Sequence, residues 1–259
     1  MAPAVPQIAE LVAPAGWRTA DFISDIHLQA AEPATFDAWR AYMASTPADA
    51  VFILGDLFDV WVGDDAAGTG FEAQCADVLQ ATGQRLALFF MAGNRDFLVG
   101  PALMARCGAT LLPDPTMLAF AGKRWLLSHG DALCLADTDY MAFRAQVRSS
   151  GWQETFLAKP LAERQAIAQG LRQQSREQHA RRQQAGESFI DVDAAAAAHW
   201  LQAANAPTLI HGHTHQPAVH GLGDGRERIV LSDWDAAATP LRLEVLRLDA
   251  QGLHRLPLA

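Results

Sequence analysis

The sequence predicts an α/β fold in which two mixed β-sheets pack face to face with helices on their outer sides. Short apolar runs alternate with helix-like segments through the first half of the chain, as they do where helices connect the strands of a sheet. The run at residues 50–54 is apolar throughout, which is typical of a strand buried on both faces. Polar motifs begin where such runs stop, and ligands of α/β sheets bind at these strand ends.

The composition is that of one globular domain. The chain has 259 residues, of which 50% are apolar and 19% charged, so it can bury a full core. Its formal net charge of −9 argues against general nucleic-acid binding, because such binding neutralises phosphates with Lys and Arg. The three cysteines are far apart and are interpreted as buried thiols in a reducing compartment. No apolar stretch approaches the roughly 20 residues that span a bilayer, so we expect a cytoplasmic protein.

The order of elements follows from apolar spacing and from turn residues. Residues 1–16 lack the basic segment of a secretory signal, so they are interpreted as an extension ahead of the first strand. The spacing of Phe36, Trp39 and Tyr42 predicts an amphipathic helix. The other predictions are strands at residues 19–24, 50–54, 85–91, 116–120, 124–127 and 207–210, and helices ending near residue 80 and covering 101–107 and 194–202. Three more strands, expected to close the second sheet, are predicted at residues 229–231, 241–248 and 253–256.

Residues 137–193 break this alternation and are predicted to form an inserted helical cap. The segment has apolar stripes at helical spacing and no strand-like run. Between Tyr140 and Ala185 it has eight Lys or Arg residues and three Glu residues, so this part is +5 and the remaining chain is −14. We therefore expect a basic helical cap on an acidic body, the two forming a single domain over residues 1–259.

Five short motifs carry the candidate catalytic groups. They are Asp25-Ile26-His27, Gly55-Asp56-Leu57-Phe58-Asp59, Gly93-Asn94-Arg95-Asp96, His129-Gly130-Asp131 and His211-Gly212-His213-Thr214-His215. Each alone is compatible with a turn or a buried histidine, but five such motifs after five apolar runs indicate a metal centre. Oxygen and imidazole ligands without thiolate suit Mn²⁺, Fe²⁺ or Zn²⁺. Two such ions bound close together activate water for attack on phosphorus.

The residue types divide into two metal sites that share Asp56, whose carboxylate has one oxygen for each of two ions. Asp131 is expected to orient His129, because imidazole ligands usually donate their other N–H. Asp59 is expected to support its loop rather than to bind metal. The first site is expected to comprise Asp25, His27, Asp56 and His215, and the second Asp56, Asn94, His129 and His213.

The motif order D-x-H, G-D-x-x-D, G-N-x-D, H-G-D and G-H-T-H resembles that of the calcineurin-like metallophosphoesterases. The resemblance covers nearly the whole chain and implies a four-layer α/β sandwich with two metal ions. Many members have His after the Asn, where it protonates a leaving alkoxide, whereas this chain has Arg95. A guanidinium stays charged and binds phosphate oxygens, which fits cleavage of a phosphoanhydride, because a leaving phosphate needs no proton. The alternative is that Arg95 only pairs with Asp96.

Longer strings around the motifs resemble the UDP-2,3-diacylglucosamine diphosphatase family of lipid A biosynthesis. They are residues 24–28, 53–59, 61–65, 93–98, 129–134 and 210–219. This resemblance implies Mn²⁺-dependent hydrolysis in which water attacks the phosphorus next to uridine, giving UMP and 2,3-diacylglucosamine 1-phosphate. It implies a catalytic set made of the seven metal ligands and Arg95. The alternatives are a metallophosphoesterase for another nucleotide diphosphate or phosphodiester, and a non-catalytic scaffold with the same fold.

The same resemblance implies that the cap holds the acyl chains and contacts the polar part of the substrate. The family motifs D-x-x-Y and R-x-x-S both occur in the cap, and two more polar residues follow the second motif on one helix face. The family usually has Lys where the last of these, Arg182, stands. An apolar, basic cap also indicates peripheral binding to the cytoplasmic face of the bacterial inner membrane, and we expect a monomer. The implied substrate contacts are Asp137, Tyr140, Arg172, Ser175, His179 and Arg182 in the cap, and Asn94, Arg95 and His213 in the body.

Overall fold

The computed structural model describes residues 5–184 and 190–258, except for the side chains of residues 176, 178–180, 182 and 183. Its helices are α1 (Pro33–Ser45), α2 (Gly70–Gly83), α3 (Pro101–Cys107), α4 (Thr138–Val147), α5 (Ser150–Leu157), α6 (Leu161–Gln184) and α7 (Ala194–Ala204). Its strands are β1 (Ala9–Val12), β2 (Ala20–Ile23), β3 (Ala50–Leu54), β4 (Ala87–Met91), β5 (Ala109–Leu112), β6 (Thr116–Phe120), β7 (Lys123–Leu127), β8 (Thr208–His211), β9 (Val219–Gly223), β10 (Arg226–Val230), β11 (Glu244–Leu248) and β12 (Leu253–Pro257).

The strands form two mixed sheets, each with six strands among the described residues. The first sheet has the order β1-β6-β7-β8-β10-β9 and the second the order β12-β11-β2-β3-β4-β5. Helices α1, α2 and α3 pack on the outer face of the second sheet, and α7 packs on the outer face of the first. The predicted four-layer α/β sandwich is therefore confirmed.

Strand membership differs from the sequence prediction at the ends of the chain. β10 joins the first sheet beside β8, while β11 and β12 extend the second sheet beside β2. The prediction that the three C-terminal strands close one sheet is therefore wrong, because alternating apolar residues identify a strand but not its partner. The segment interpreted as an N-terminal extension contains β1, which pairs with β6. β1, β5 and β9 are sheet edges with few buried side chains, so their sequences carry little strand signal.

Aromatic side chains between the two sheets hold the central strands in place. Phe22, Phe52 and Phe89 come from the neighbouring strands β2, β3 and β4, and their rings stack at centroid separations of 5.1 and 4.6 Å. Trp17 meets Phe52 and Phe89 edge-on at 6.3 and 5.8 Å. Burial of one such ring contributes about 1.5–3 kcal/mol. This packing fixes the three parallel strands against one another, so their carboxyl ends lie at one edge.

Parallel pairing brings the polar motifs of both sheets to the same edge of the molecule. β2, β3 and β4 are parallel, and Asp25, Asp56 and Asn94 follow their carboxyl ends. In the other sheet β7 and β8 are parallel, and His129 and His213 follow them. The backbone N–H of His213 donates to the Asp25 carboxylate at 2.8 Å, which ties the two sheets together at this edge.

The segment predicted to be a helical cap contains the three helices α4, α5 and α6. The chain is not helical at residues 148–149, 158–160 and 190–193, whereas the sequence predicted helix throughout. Pro160 stands directly before α6, where a residue without an N–H is tolerated. Residues 185–189 lie outside the described residues, so the boundaries of the cap stay a prediction. None of the described helices is both long and apolar enough to cross a membrane.

A buried carboxylate in β2 connects three elements of the second sheet and its helical layer. Asp21 is fully buried and accepts hydrogen bonds from Tyr42 at 2.9 Å and from Thr46 at 2.7 Å, both next to the end of α1. Arg247 in β11 donates to it through Nε and Nη2 at 2.7 and 2.8 Å. Burial and the Asp21 charge raise the pKa of Tyr42 well above its ordinary value, so the phenol remains a donor.

We expect Asp21→Ala to lower the free energy of unfolding by about 3 kcal/mol, because it leaves Arg247 and two buried hydroxyls without their acceptor. Asp37→Ala is the matched control, because Asp37 pairs with Arg40 on the exposed face of α1. Loss of that exposed pair should cost less than about 1 kcal/mol. Urea unfolding of both variants tests this expectation, and equal losses would contradict it.

Candidate metal centre

The predicted ligands stand in backbone conformations that residues other than glycine rarely adopt. Five of the seven have a positive φ between 52° and 67°, which places them in the left-handed region. Such conformations cost energy and persist where the surrounding structure enforces them, commonly at functional sites. The five residues are Asp25, His27, Asp56, His213 and His215.

The first predicted site brings together one carboxylate and two imidazoles. Nε2 of His27 lies 3.2 Å from Nε2 of His215, which in turn lies 3.3 Å from Oδ1 of Asp25. Two nitrogen ligands bound to one ion at about 2.1 Å have a separation of roughly 3 Å. Oδ1 of Asp25 is buried and has no hydrogen-bond partner among the described residues. The three side chains are therefore arranged as a cation site.

The second predicted site is centred on the amide oxygen of Asn94. This oxygen lies 2.9 Å from Nε2 of His129 and 2.9 Å from Nδ1 of His213. Oδ1 of Asp56 lies 3.8 Å from Nε2 of His129. Ligand atoms of Asp25, Asp56 and His129 also lie within 4.8 Å of one another, so Asp56 stands between the two sites. The structure thus brings together all seven predicted ligands.

The hydrogen bonding of His129 provides a test of whether a cation fits. Its Nδ1 lies 2.9 Å from the carbonyl of Leu54, which can only accept, so Nδ1 carries a proton. In a neutral ring Nε2 is then an acceptor, and it faces the acceptor oxygen of Asn94 at 2.9 Å. Two acceptors at this distance repel each other unless a proton or a cation lies between them. The residues present therefore fit a divalent metal ion.

The pKa values of buried groups at this edge bear on the same question. Burial lowers the pKa of His129, but the carboxylates of Asp56 and Asp25 outweigh burial and raise it to about 9. Burial raises the pKa of Asp25, but His215 and His129 hold that pKa below its ordinary value. Burial lowers the pKa of His213 to about 3, with His129 adding to the effect. Burial also raises the pKa of Asp56. The lowered pKa of Asp25 and the raised pKa of His129 indicate a demand for positive charge, which a divalent ion meets.

Asp96 supports the metal loops, a role that the sequence did not predict. It is fully buried, and its two oxygens accept the backbone N–H groups of Gly93 and Leu57, both at 2.8 Å. Longer bonds of 3.3 and 3.4 Å come from the backbone of Asp56 and Phe58. Burial and the Asp56 charge raise the pKa of Asp96 to about 7. The sequence signal for this role was the position of Asp96 at the end of the Gly93–Asp96 motif.

Arg95 pairs with two carboxylates, and neither belongs to Asp96. Its Nη1 lies 2.8 Å from Asp59, and its Nε lies 3.3 Å from Asp56. The alternative that Arg95 only pairs with Asp96 is therefore wrong. Asp59 also accepts Nη2 of Arg172 from the cap helix α6 at 2.5 Å. Asp59 is outside both groups of potential metal ligands among the described residues, in keeping with its expected role in the loop.

Asp131 does not orient His129, and that expectation is wrong. The chain turns at Gly130, with φ of 110°, and Asp131 begins a short 3₁₀ helix. Its carboxylate therefore faces the cap helix α4, where it accepts from Tyr140 at 2.6 Å and from Arg144 at 2.8 Å. The carbonyl of Leu54 orients His129 instead.

Glycine is required where the metal loops approach one another. A Cβ added at Gly93 would overlap the Asp56 carboxylate, and one added at Gly212 would overlap the side chains of Ser24 and Asp25. These two glycines therefore bring the loops close enough for their ligands to meet.

The structure places only some of the predicted cap contacts near the metal centre. The Tyr140 ring stacks on His213 at 5.9 Å, and Asp137 caps α4 by accepting the backbone N–H of Tyr140 at 3.2 Å. Arg172 reaches Asp59, whereas Ser175 is exposed. The side chains of His179 and Arg182 lie outside the described part of the structure. All six remain predicted substrate contacts.

Comparison with known proteins identifies close relatives. The model of the calcineurin-like phosphoesterase family matches residues 19–217. A protein of Xanthomonas oryzae pv. oryzae named UDP-2,3-diacylglucosamine hydrolase is 43% identical over 241 residues, which are 90% of this chain and 96% of the relative. Proteins of the same name from Chromobacterium violaceum and Cellvibrio japonicus are 46% and 44% identical. Those alignments cover 92% and 86% of this chain, and 98% and 96% of the relatives.

We expect Asp96→Asn to weaken the binding of a divalent ion, with Mn²⁺ as the probe, by about 10–100-fold, because residues behind metal ligands contribute on this scale. In the wild type each of the two Asp96 oxygens accepts a backbone N–H group. An asparagine has only one acceptor oxygen, so its NH₂ group would face a backbone N–H donor. The same clash should cost about 1–3 kcal/mol of stability.

Calorimetric Mn²⁺ titration and urea unfolding measure these two effects. Asp77→Asn is the control, because Asp77 forms an exposed pair with Arg106. Unchanged Mn²⁺ affinity in Asp96→Asn would contradict the role assigned to Asp96.

Proposed function

Because the chain belongs to the calcineurin-like phosphoesterase family, we propose that it hydrolyses the diphosphate of UDP-2,3-diacylglucosamine in lipid A biosynthesis. The products are UMP and 2,3-diacylglucosamine 1-phosphate. The names of the relatives support this substrate. The observation that carries a hydrolytic function is the convergence of seven oxygen and nitrogen ligands, Asp56 among them, at one edge of the two sheets.

The proposed centre holds two divalent metal ions, which we take to be Mn²⁺. Asp25, His27 and His215 would hold one ion, Asn94, His129 and His213 the other, and Asp56 both. Oxygen and imidazole ligands are the types that Mn²⁺ accepts. When bound, such ions lower the pKa of water and stabilise negative charge on phosphate oxygens.

Arg95 is the proposed phosphate-binding residue of the body. Its guanidinium lies against Asp56, and a guanidinium is a cation that does not act as a general acid. It can therefore neutralise a diphosphate held beside Asp56, but it cannot supply a proton. Cleavage next to uridine releases a sugar phosphate, which leaves as an anion and needs no general acid. The residue after Asn94 thus suits a phosphoanhydride better than a phosphate ester with an alcohol leaving group.

The proposed cap binds the lipid part of the substrate and lies over the metal centre. Trp152 and Phe156 of α5 stack at 4.7 Å, and Phe97 of the body meets Trp152 at 6.0 Å. Leu157 and Leu171 are exposed apolar residues on α5 and α6. The two exposed leucines, in a basic segment, support contact with acyl chains and peripheral binding to the cytoplasmic face of the inner membrane. The protein is proposed to act there as a monomer.

We expect hydrolysis in ¹⁸O-water with Mn²⁺ to place the label in UMP, because water attacks the phosphorus next to uridine. Mass spectrometry of both products from UDP-2,3-diacylglucosamine measures this. His213→Ala and a chelated sample should each lose at least about 100-fold in turnover, because each removes part of the metal centre.

The location of the label separates the outcomes. Label in the sugar phosphate would move the attack to the other phosphorus. Absence of turnover, together with cleavage of a water-soluble phosphodiester, would overturn the proposed substrate.

A further inference from the structure

One carboxylate joins the cap to the metal-bearing body at the place where the diphosphate is proposed to bind. Oδ1 of Asp59 accepts Nη1 of Arg95 at 2.8 Å and also Nη2 of Arg172 at 2.5 Å. Arg95 belongs to the body, and Arg172 lies 113 residues from Asp59 on the cap helix α6. Because both guanidiniums contact the same oxygen, they lie close enough to bind one phosphate group between them.

Two guanidiniums do not stay adjacent without an anion. The exposures of Arg95, Asp59 and Arg172 are 21%, 17% and 19%, so solvent screens their charges only in part. Without the carboxylate the two cations would repel each other. Arg95 has a second contact, since its Nε lies 3.3 Å from Asp56. Asp59 therefore offsets the repulsion between the two guanidiniums.

A second ion pair links helix α6 to the segment between β3 and α2. Arg164 is buried, and it pairs with both oxygens of Asp65 and donates to the carbonyl of Val62. Both anchoring acids, Asp59 and Asp65, lie in the segment between β3 and α2. The pair of Arg164 with Asp65 holds α6 on the body without contacting Arg95. Asp59, in contrast, contacts Arg95 as well as α6.

We propose that Asp59 is a positioning residue that places the cap's Arg172 beside the body's Arg95, so that both guanidiniums meet the diphosphate. The inference rests on the proposed function. Asp59 acts through the two arginines and has no contact of its own with the reacting phosphorus. The charge of Asp59 thus brings one arginine of the cap and one of the body into a single anion site.

A double-mutant cycle tests this role, with kcat and KM for UDP-2,3-diacylglucosamine measured in Mn²⁺. Asp59→Asn and Arg172→Gln should each lower kcat/KM by about 10–100-fold, since small displacements of binding groups have effects of this size. The double variant should lose less than the product of the two single losses, because part of the effect of Asp59 passes through Arg172. Asp59→Glu keeps the charge and should recover activity to within about fivefold of the wild type.

Asp65→Asn is the matched control, because Asp65 pairs with the same helix away from Arg95. Its effect should multiply with that of Arg172→Gln. Independent effects of Asp59→Asn and Arg172→Gln, or failure of Asp59→Glu to recover activity, would overturn the positioning role. Equal coupling of Asp65 to Arg172 would also overturn it, because the coupling would then reflect docking of α6. Absence of turnover by the wild type would instead overturn the proposed substrate.

Discussion

The structure depends on a cluster of buried carboxylates at one edge of its two sheets. Asp25, Asp56 and Asp96 are nearly inaccessible to solvent and come from loops after three neighbouring parallel strands. Burial of such charges is costly unless cations or hydrogen bonds compensate it. The chain supplies Arg95, several imidazoles and the N–H groups around Asp96. The carboxylates also raise the pKa of His129, so its Nε2 holds a proton against the Asn94 oxygen, and a divalent cation would supply positive charge in place of that proton.

The rest of the fold holds this charged edge in place. Stacked phenylalanines fix the central strands, and Asp21 ties β2 to the end of α1 and to β11. The left-handed conformations of the ligand loops cost energy, which a rigid sandwich can sustain. The cap contacts this edge through Asp59 and Asp131, the acids that close two of the metal motifs. Hydrogen bonds and ion pairs therefore connect the cap to the loops that carry the candidate metal ligands.

Sequence reasoning selected the seven candidate ligands because each stands close to the end of an apolar run, and this is a local signal. It predicted the buried strands for the same reason, and it missed the edge strands β1, β5 and β9, which bury little. It did not identify the partners of Asp96, Asp131 or Asp59, because those partners depend on tertiary contacts. Asp96 accepts from a backbone 39 residues away, and Asp59 pairs with a helix 113 residues away. The positions of chemical groups were thus predictable, whereas the interactions among them required the fold.

The central claim is that Asp56 joins two divalent sites into one centre. Electron paramagnetic resonance of the protein titrated with Mn²⁺ tests it most directly, because ions that share a carboxylate couple magnetically. The account predicts two Mn²⁺ per chain at saturation and a spin-coupled spectrum that is lost in Asp56→Ala. Binding of a single ion, or of two ions with uncoupled spectra, would contradict it.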